Sequence, residues 1–86
     1  MESKKVRVWI CGSWGYWSKV NLTKQALIQE LNLRDSQIEC IPGEMTQLKV
    51  DVIINGQSIT VINRKGGNFF PRHAPMEIVE AVRKYF

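Results

Sequence analysis

Residues 6–19, VRVWICGSWGYWSK, carry three structural signals in a row: a strand, a glycine-containing loop and the start of a helix. The first five residues alternate β-branched side chains with Arg7 and Trp9, and this period of two is typical of a β-strand. We predict a strand from about Lys5 to Ile10, with a loop directly after it.

The helix that follows is predicted from about residue 16 to residue 31. Its apolar or small side chains recur at spacings of three and four residues, with polar residues between them, which is the pattern of an amphipathic helix. This stripe consists of Tyr16, Val20, Thr23, Leu27 and Leu31. Asn32 supplies a C-terminal stop, because asparagine tolerates the left-handed backbone found at helix ends.

The second half of the chain contains the clearest element, a β-hairpin. Two β-branched runs, Val50–Ile54 and Gln57–Ile62, are joined by Asn55-Gly56. This dipeptide tolerates the positive φ angles of a type I′ turn, so we predict that the two runs pair. A shorter strand, QIECIP at residues 37–42, precedes them and ends at a Pro-Gly turn.

A last helix is predicted to begin near Pro75, which suits the first turn of a helix. Its apolar stripe consists of Ile78, Val79, Val82, Tyr85 and Phe86. The element order is then β-α-β-β-β-α, which predicts an α/β fold with a small mixed four-stranded sheet and two helices packed on one face. If the first two strands are parallel, the loop after the first lies at their carboxyl edge, where open α/β sheets place their sites.

Composition limits the classes of protein to consider. With 86 residues, 44% hydrophobic and 23% charged, the chain predicts one domain, residues 1–86, with a single small core. It has no apolar run near the roughly 18 residues of a membrane helix, and the opening MESKK is unlike a signal peptide, so we expect a cytoplasmic monomer without a membrane partner.

The net charge of +4 is spread among acidic residues, which indicates a solvated surface rather than nucleic-acid binding. Two cysteines and one histidine do not suggest a metal site, and we expect no metal and no bound cofactor.

Cys11 follows the first strand directly, and Gly12, Ser13 and Gly15 lie in the loop after it. A thiol at the entrance to a helix is near unpaired backbone N–H groups, which favour the thiolate and so make the sulfur a better nucleophile. A buried cysteine that only fills space at the end of a strand fits the same pattern. Position alone leaves both interpretations open.

The sequence CGSWGY, residues 11–16, resembles the loop of selenoprotein W and its thioredoxin-like relatives, in which strand one ends in C-x-x-U or C-x-x-C. The stretch RKGG and the element order extend the resemblance over nearly the whole chain. It implies a thioredoxin-like fold and a thiol or selenol oxidoreductase activity linked to glutathione as reductant. In such a protein Cys11 would be the thiol partner, and residue 14 the more reactive chalcogen. The resemblance also implies a protein partner such as a 14-3-3 protein.

Trp14 stands where that family has selenocysteine or a second cysteine, and an indole ring cannot cycle between thiolate and disulfide. Three explanations remain open. If a UGA selenocysteine codon has been read as tryptophan, selenocysteine is the natural residue. If the tryptophan is genuine, the chain is a non-catalytic interaction module whose surface includes Trp9, Trp14, Tyr16 and Trp17. In the third, Cys11 forms a mixed disulfide with glutathione without a second residue of the motif.

Two further features have competing interpretations. Cys40 is either a second thiol for Cys11 or part of the core beside Ile38, and a disulfide would need a Cα separation of about 4.4 to 6.8 Å. The stretch Arg64–Gly67 is either an anion site, for example for a carboxylate of glutathione, or an ordinary charged turn.

Overall fold

Four strands and two α-helices follow one another in residues 3–86, the part of the chain that the computed structural model describes. Their order is β-α-β-β-β-α, so the α/β class predicted from the sequence is confirmed. The elements are β1 (Lys4–Cys11), α1 (Tyr16–Leu31), β2 (Ile38–Gly43), β3 (Gln47–Ile54), β4 (Gln57–Lys65) and α2 (Ala74–Arg83). A short 3₁₀ turn, Asp35–Gln37, leads into β2. The predicted domain starts at residue 1, and its first two residues lie outside the described ones.

The strands form one mixed sheet in the order β2-β1-β3-β4. β1 pairs in parallel with β2, because α1 carries the chain back to the edge at which β1 started. β1 is antiparallel to β3, and β3 is antiparallel to β4. Cys11 lies opposite Gly43 at the end of the parallel pair. The loop after β1 therefore opens at the carboxyl edge of two parallel strands, as the sequence predicted.

Both helices pack on the same face of this sheet. Alternation along β1 and β3 turns every second side chain toward that face, where α1 and α2 cover them. These four elements contribute the following residues to the hydrophobic core cluster: Val6, Val8, Ile10, Tyr16, Val20, Leu27, Leu48, Val50, Val52, Ile78, Val79 and Val82. Because Leu27 is fully buried there, its truncation to alanine would cost about 2 to 5 kcal/mol of stability. This core fixes β1 in the middle of the sheet and thereby fixes the loop that follows it.

Two of the three predicted chain reversals use the residues that the sequence indicated. The Pro-Gly turn is wrong, because β2 continues through Pro42 and Gly43 and the chain turns at residues 44–46. Asn32 has a φ of 57° and ends α1 in the left-handed region. Asn55 and Gly56 have φ angles of 51° and 83°, so both central positions of the hairpin turn are left-handed. The hairpin is longer than predicted, because β4 continues to Lys65 after a bulge that leaves Val61 without an opposite residue on β3.

Candidate functional site

Cys11 is the last residue of β1, and only 2% of its surface is exposed. Alternation along the strand puts its side chain on the side of Trp9, away from the core residue Ile10. The sulfur is therefore not part of the main core. It is covered by the loop that follows β1 and by the loop between β2 and β3.

The sulfur of Cys11 is surrounded by hydrogen-bond donors. The Sγ atom of Cys11 and the Oγ atom of Ser13 are 2.9 Å apart. Backbone N–H groups of Ser13 and Thr46 also point at the sulfur. The Ser13 hydroxyl, then these two N–H groups and the charge of Lys19 lower the pKa of the Cys11 thiol, although its burial acts in the opposite direction. The donors belong to the two loops and not to the first turn of α1, which the sequence had suggested as the source of positive charge.

A pocket of about 330 Å³ opens beside this thiol. Its walls are formed by Cys11, Gly12, Ser13, Gly43 and Met45. Met45 is 70% exposed, so the pocket lies at the surface and has an apolar rim. A small disulfide or an electrophile in this pocket lies next to the covered sulfur, so the two loops have to move for the thiolate to reach it, but the core does not.

The loop presents residue 14 to solvent. Trp14 is 94% exposed, and Trp17 in the first turn of α1 is 72% exposed. Gly15, just before the helix, has a φ of 73°, a left-handed conformation that costs glycine nothing. The Tyr16 N–H then donates to the Ser13 carbonyl over 3.1 Å and closes the turn into α1. The backbone therefore turns sharply and directs the side chain of residue 14 outward.

Cys40 lies in a different environment. It is opposite Val8 in the sheet, three residues before Gly43, which is opposite Cys11. With about 3.3 Å per residue along a strand and 4.8 Å between strands, the two cysteine Cα atoms are roughly 11 Å apart. Since disulfides need a Cα separation below about 7 Å, this fold does not allow a Cys11–Cys40 disulfide. Cys40 packs against the core, and its burial raises the pKa of its thiol to about 11.

The cations of the stretch Arg64–Gly67 are engaged within the fold, which favours an ordinary charged turn over an anion site. The guanidinium of Arg64 donates to both carboxylate oxygens of Glu77, at 2.6 and 2.9 Å, and to the Phe69 carbonyl at 3.0 Å. The two hydrogen bonds from Arg64 to the Glu77 carboxylate hold the pKa of Glu77 below its ordinary value. Lys65 pairs with Glu44 at 2.7 Å. The segment therefore ties β4 to α2 and to the loop before β3.

The suggested four-residue aromatic surface is wrong in part. Tyr16 is buried in the hydrophobic core, with its ring edge-on to Trp17 at a centroid distance of 5.0 Å. Trp9 is half-buried on the outer face of the sheet, between Arg7 and Lys49. Of the four, Trp14 and Trp17 are the exposed ones.

Sequence reasoning missed three residues of the site. Thr46 contributes its backbone N–H, with a left-handed φ of 53°, and no local motif marks it. Met45 reaches the pocket because the loop before β3 folds over the end of β1. Lys19 lies on the polar side of the predicted helix, four residues after Gly15. Residues four apart on a helix are neighbours, so this spacing was a signal that the Lys19 side chain lies near the loop.

In residues 3–86, no three His, Cys, Asp or Glu side chains lie together as metal ligands would. Neither α-helix in this part of the chain has the length and apolar character needed to cross a membrane. Comparisons with protein-family models, curated proteins and solved structures returned no match. The case for a function rests on the geometry around Cys11.

Proposed function

We propose that this protein is a small thiol redox protein of the selenoprotein W type, with Cys11 as its reactive sulfur and glutathione as its small-molecule partner. The observation that supports the proposal is the position of the Cys11 sulfur. It lies at an open pocket, 2.9 Å from the Ser13 hydroxyl, and receives backbone N–H groups from two loops. Because these donors favour the thiolate, Cys11 differs from an inert cysteine that only fills space.

In the chain as written, the proposed reaction uses one thiol. The Cys11 thiolate attacks one sulfur of glutathione disulfide, the disulfide bond of glutathione breaks, and a new bond joins Cys11 to one glutathione. The other glutathione leaves as a thiolate and takes up a proton. A second glutathione thiolate can reverse the step by attacking the mixed disulfide, which restores Cys11 and releases glutathione disulfide.

Residue 14 would carry the second reactive atom in a two-centre version of this reaction. Its side chain is almost completely exposed, as a group that meets substrates directly must be. Tryptophan cannot fill that role. The proposal therefore includes selenocysteine as the natural residue, and the genomic codon tests this part: TGA supports it, and TGG contradicts it.

The redox proposal is tested with glutathione disulfide and four proteins: the wild type, Cys11→Ser, Cys40→Ser and Trp14→Cys. Intact mass should show one glutathione bound to the wild type and to Cys40→Ser, and none to Cys11→Ser. The Trp14→Cys variant should lose two hydrogens as a disulfide forms between Cys11 and the introduced thiol and two glutathiones are released. If the wild type gains glutathione at Cys40, or if Cys11 is unreactive in all variants, the proposal is wrong.

A second candidate function is a non-catalytic interaction module, with a 14-3-3 protein as the partner that the family resemblance suggests. It is favoured by the exposed apolar side chains of Trp14 in the loop after β1, Trp17 in the first turn of α1, and Met45 in the loop between β2 and β3. Calorimetry with a purified 14-3-3 protein tests it. Trp14→Ala should weaken binding at least tenfold if Trp14 is an interface hot spot, and Leu22→Ala, an exposed apolar residue of α1 outside the loop, should not.

A further inference from the structure

The side chain of Lys19 folds back over the loop rather than extending into solvent. Its ammonium donates a 2.8 Å hydrogen bond to the carbonyl of Trp14, five residues earlier in the chain. The carbonyl of the N-cap Gly15 accepts the Lys19 N–H at 3.0 Å, but the Trp14 carbonyl lies one residue earlier, outside the helix. The ammonium therefore satisfies an acceptor that would otherwise need water. The contact joins the first turn of α1 to the loop.

Gly15 makes room for this contact. A Cβ atom at position 15 would lie 3.1 Å from the Lys19 ammonium, closer than such contacts normally are. The left-handed φ of Gly15 turns the carbonyl of residue 14 toward α1. Two properties of one glycine, its backbone freedom and its lack of a side chain, thus serve the same hydrogen bond.

A third segment holds the ammonium from the other side. The ring of Phe69 lies 5.8 Å from the Lys19 ammonium, within the range of a cation–π contact. Phe69 belongs to the connection between β4 and α2, and its carbonyl accepts a hydrogen bond from Arg64. Lys19 is therefore fixed by contacts with the loop and with this connection, although it carries a charge that could be solvated freely.

We propose that Lys19 is a positioning residue: its ammonium holds the 12–15 loop in the conformation that covers Cys11 and projects residue 14 into solvent. The inference rests on the proposed function, since it assigns Lys19 a role in the Cys11 site. It concerns the loop and the thiol whichever residue is natural at position 14, because the acceptor is a backbone carbonyl.

The test compares Lys19→Met, which keeps the aliphatic stem and removes the charge, with Lys19→Arg, which keeps a donor. Lys24→Met is the matched control, because Lys24 lies on the same helix and pairs with Asp35 instead of the loop. Two quantities are measured: amide hydrogen exchange in a peptide covering residues 12–16, and the pH profile of Cys11 alkylation by iodoacetamide.

In Lys19→Met, exchange in this peptide should become about three- to tenfold faster, as expected for the loss of one hydrogen bond of ordinary strength. The midpoint of the alkylation profile should move to higher pH, because a positive charge near the thiolate is gone. Lys19→Arg should restore both, and Lys24→Met should change neither.

An unchanged loop exchange and pH profile in Lys19→Met would overturn the inference. So would faster exchange throughout the protein, because Lys19 would then serve general stability. Neither measurement uses glutathione, so the two proposals can fail separately. If the proposed function fails, Cys11 does not react with glutathione disulfide, although the loop responds to Lys19→Met as expected.

Discussion

The two cysteines lie on neighbouring parallel strands yet have opposite chemical environments. Cys11 ends β1, where two loops direct a hydroxyl and two backbone N–H groups at its sulfur. Cys40 lies in the middle of β2, where its thiol faces apolar side chains of the core. The pKa of Cys11 is lowered, chiefly by the Ser13 hydroxyl, and burial raises the pKa of Cys40 to about 11.

This difference shows that exposure alone does not decide which thiol is reactive. Cys11 is the less exposed residue of the two. What separates them is the identity of the atoms that cover the sulfur: polar donors at the end of a strand, and apolar groups in its middle. At the end of a strand, backbone N–H groups no longer pair with a neighbouring strand and can donate to a thiolate instead. Cys40 lies only three residues before Gly43, the residue opposite Cys11, and this short distance along the sheet is enough to change the chemistry of a cysteine.

The largest expected effect is a difference in alkylation rate. At pH 7.5 Cys11 should react with iodoacetamide at least about tenfold faster than Cys40. A thiol pKa below 9.0 and one of about 11 differ at least about a hundredfold in thiolate fraction, and the less basic thiolate is roughly tenfold less nucleophilic. Peptide mass spectrometry at timed intervals measures both rates in one sample. The Cys11→Ser variant should lose the fast reaction and keep the slow one, and comparable rates at the two sites would refute the distinction.

Removal of the Ser13 hydroxyl should bring the two thiols closer together in reactivity. In Ser13→Ala the alkylation rate of Cys11 at pH 7.5 should fall on the order of threefold to tenfold, because the nearest donor to the thiolate is lost. The midpoint of its pH profile should rise, and the rate at Cys40 should not change. Ser18→Ala, an exposed serine in α1, is the control. A Cys11 rate that is insensitive to Ser13 would assign the lowered pKa to the backbone N–H groups instead.

Stability should show the opposite ranking of the two cysteines. Cys40→Ser should lower the free energy of unfolding by about 1 kcal/mol, because it places a hydroxyl among apolar side chains. Cys11→Ser should cost less, since its new hydroxyl can keep the contacts with Ser13 and the N–H groups. Urea titrations with an unchanged m-value measure both.

The pH dependence of stability isolates the raised pKa of Cys40. An unfolded thiol ionises near pH 9, but Cys40 in the folded protein ionises near 11, so the folded state binds more protons between these values. The free energy of unfolding should therefore fall as pH rises from about 9 to about 11. The Cys40→Ser variant should lack this part of the decrease, and an equal decrease in both proteins would mean that Cys40 is not the cause.

The fold could be predicted because its signals are local. The alternation in β1, the helical spacing of α1 and the Asn55-Gly56 turn each depend on residues close together in sequence, and the element order follows from them. The bulge at Val61 could not be predicted, because it depends on how β4 meets both β3 and α2. No residue near Val61 marks it.

The site could be predicted only as far as its local part. Cys11 and Ser13 are two residues apart, so a single short motif contains both of them. The Thr46 N–H acts on Cys11, and Arg64 pairs with Glu77, so both contacts join segments that are distant in sequence. No local pattern in these segments indicates which residue the other segment supplies. For the same reason Arg64 looked like an available cation, and Trp9 and Tyr16 looked like surface aromatics.

The smallest expected effect concerns the salt bridge between Glu44 and Lys65, which lies next to the loop that serves Cys11. Both side chains are exposed, so the pair is screened by solvent. Thr46 is held independently, since the Gly66 N–H donates to its carbonyl at 2.9 Å. Glu44→Gln should thus change the alkylation rate of Cys11 by less than about twofold.

The pKa of Glu44 gives the pH range for this test. The hydrogen bond from Lys65 lowers that pKa, so the salt bridge is complete above the ordinary value of 4.5 and is lost only as pH falls through the lowered one. The ratio of wild-type to Glu44→Gln rates should therefore stay constant between about pH 6 and 9. A larger or pH-dependent ratio would show that the Thr46 N–H depends on the salt bridge, and that the contrast between the two cysteines is maintained by surface charge as well as by the backbone.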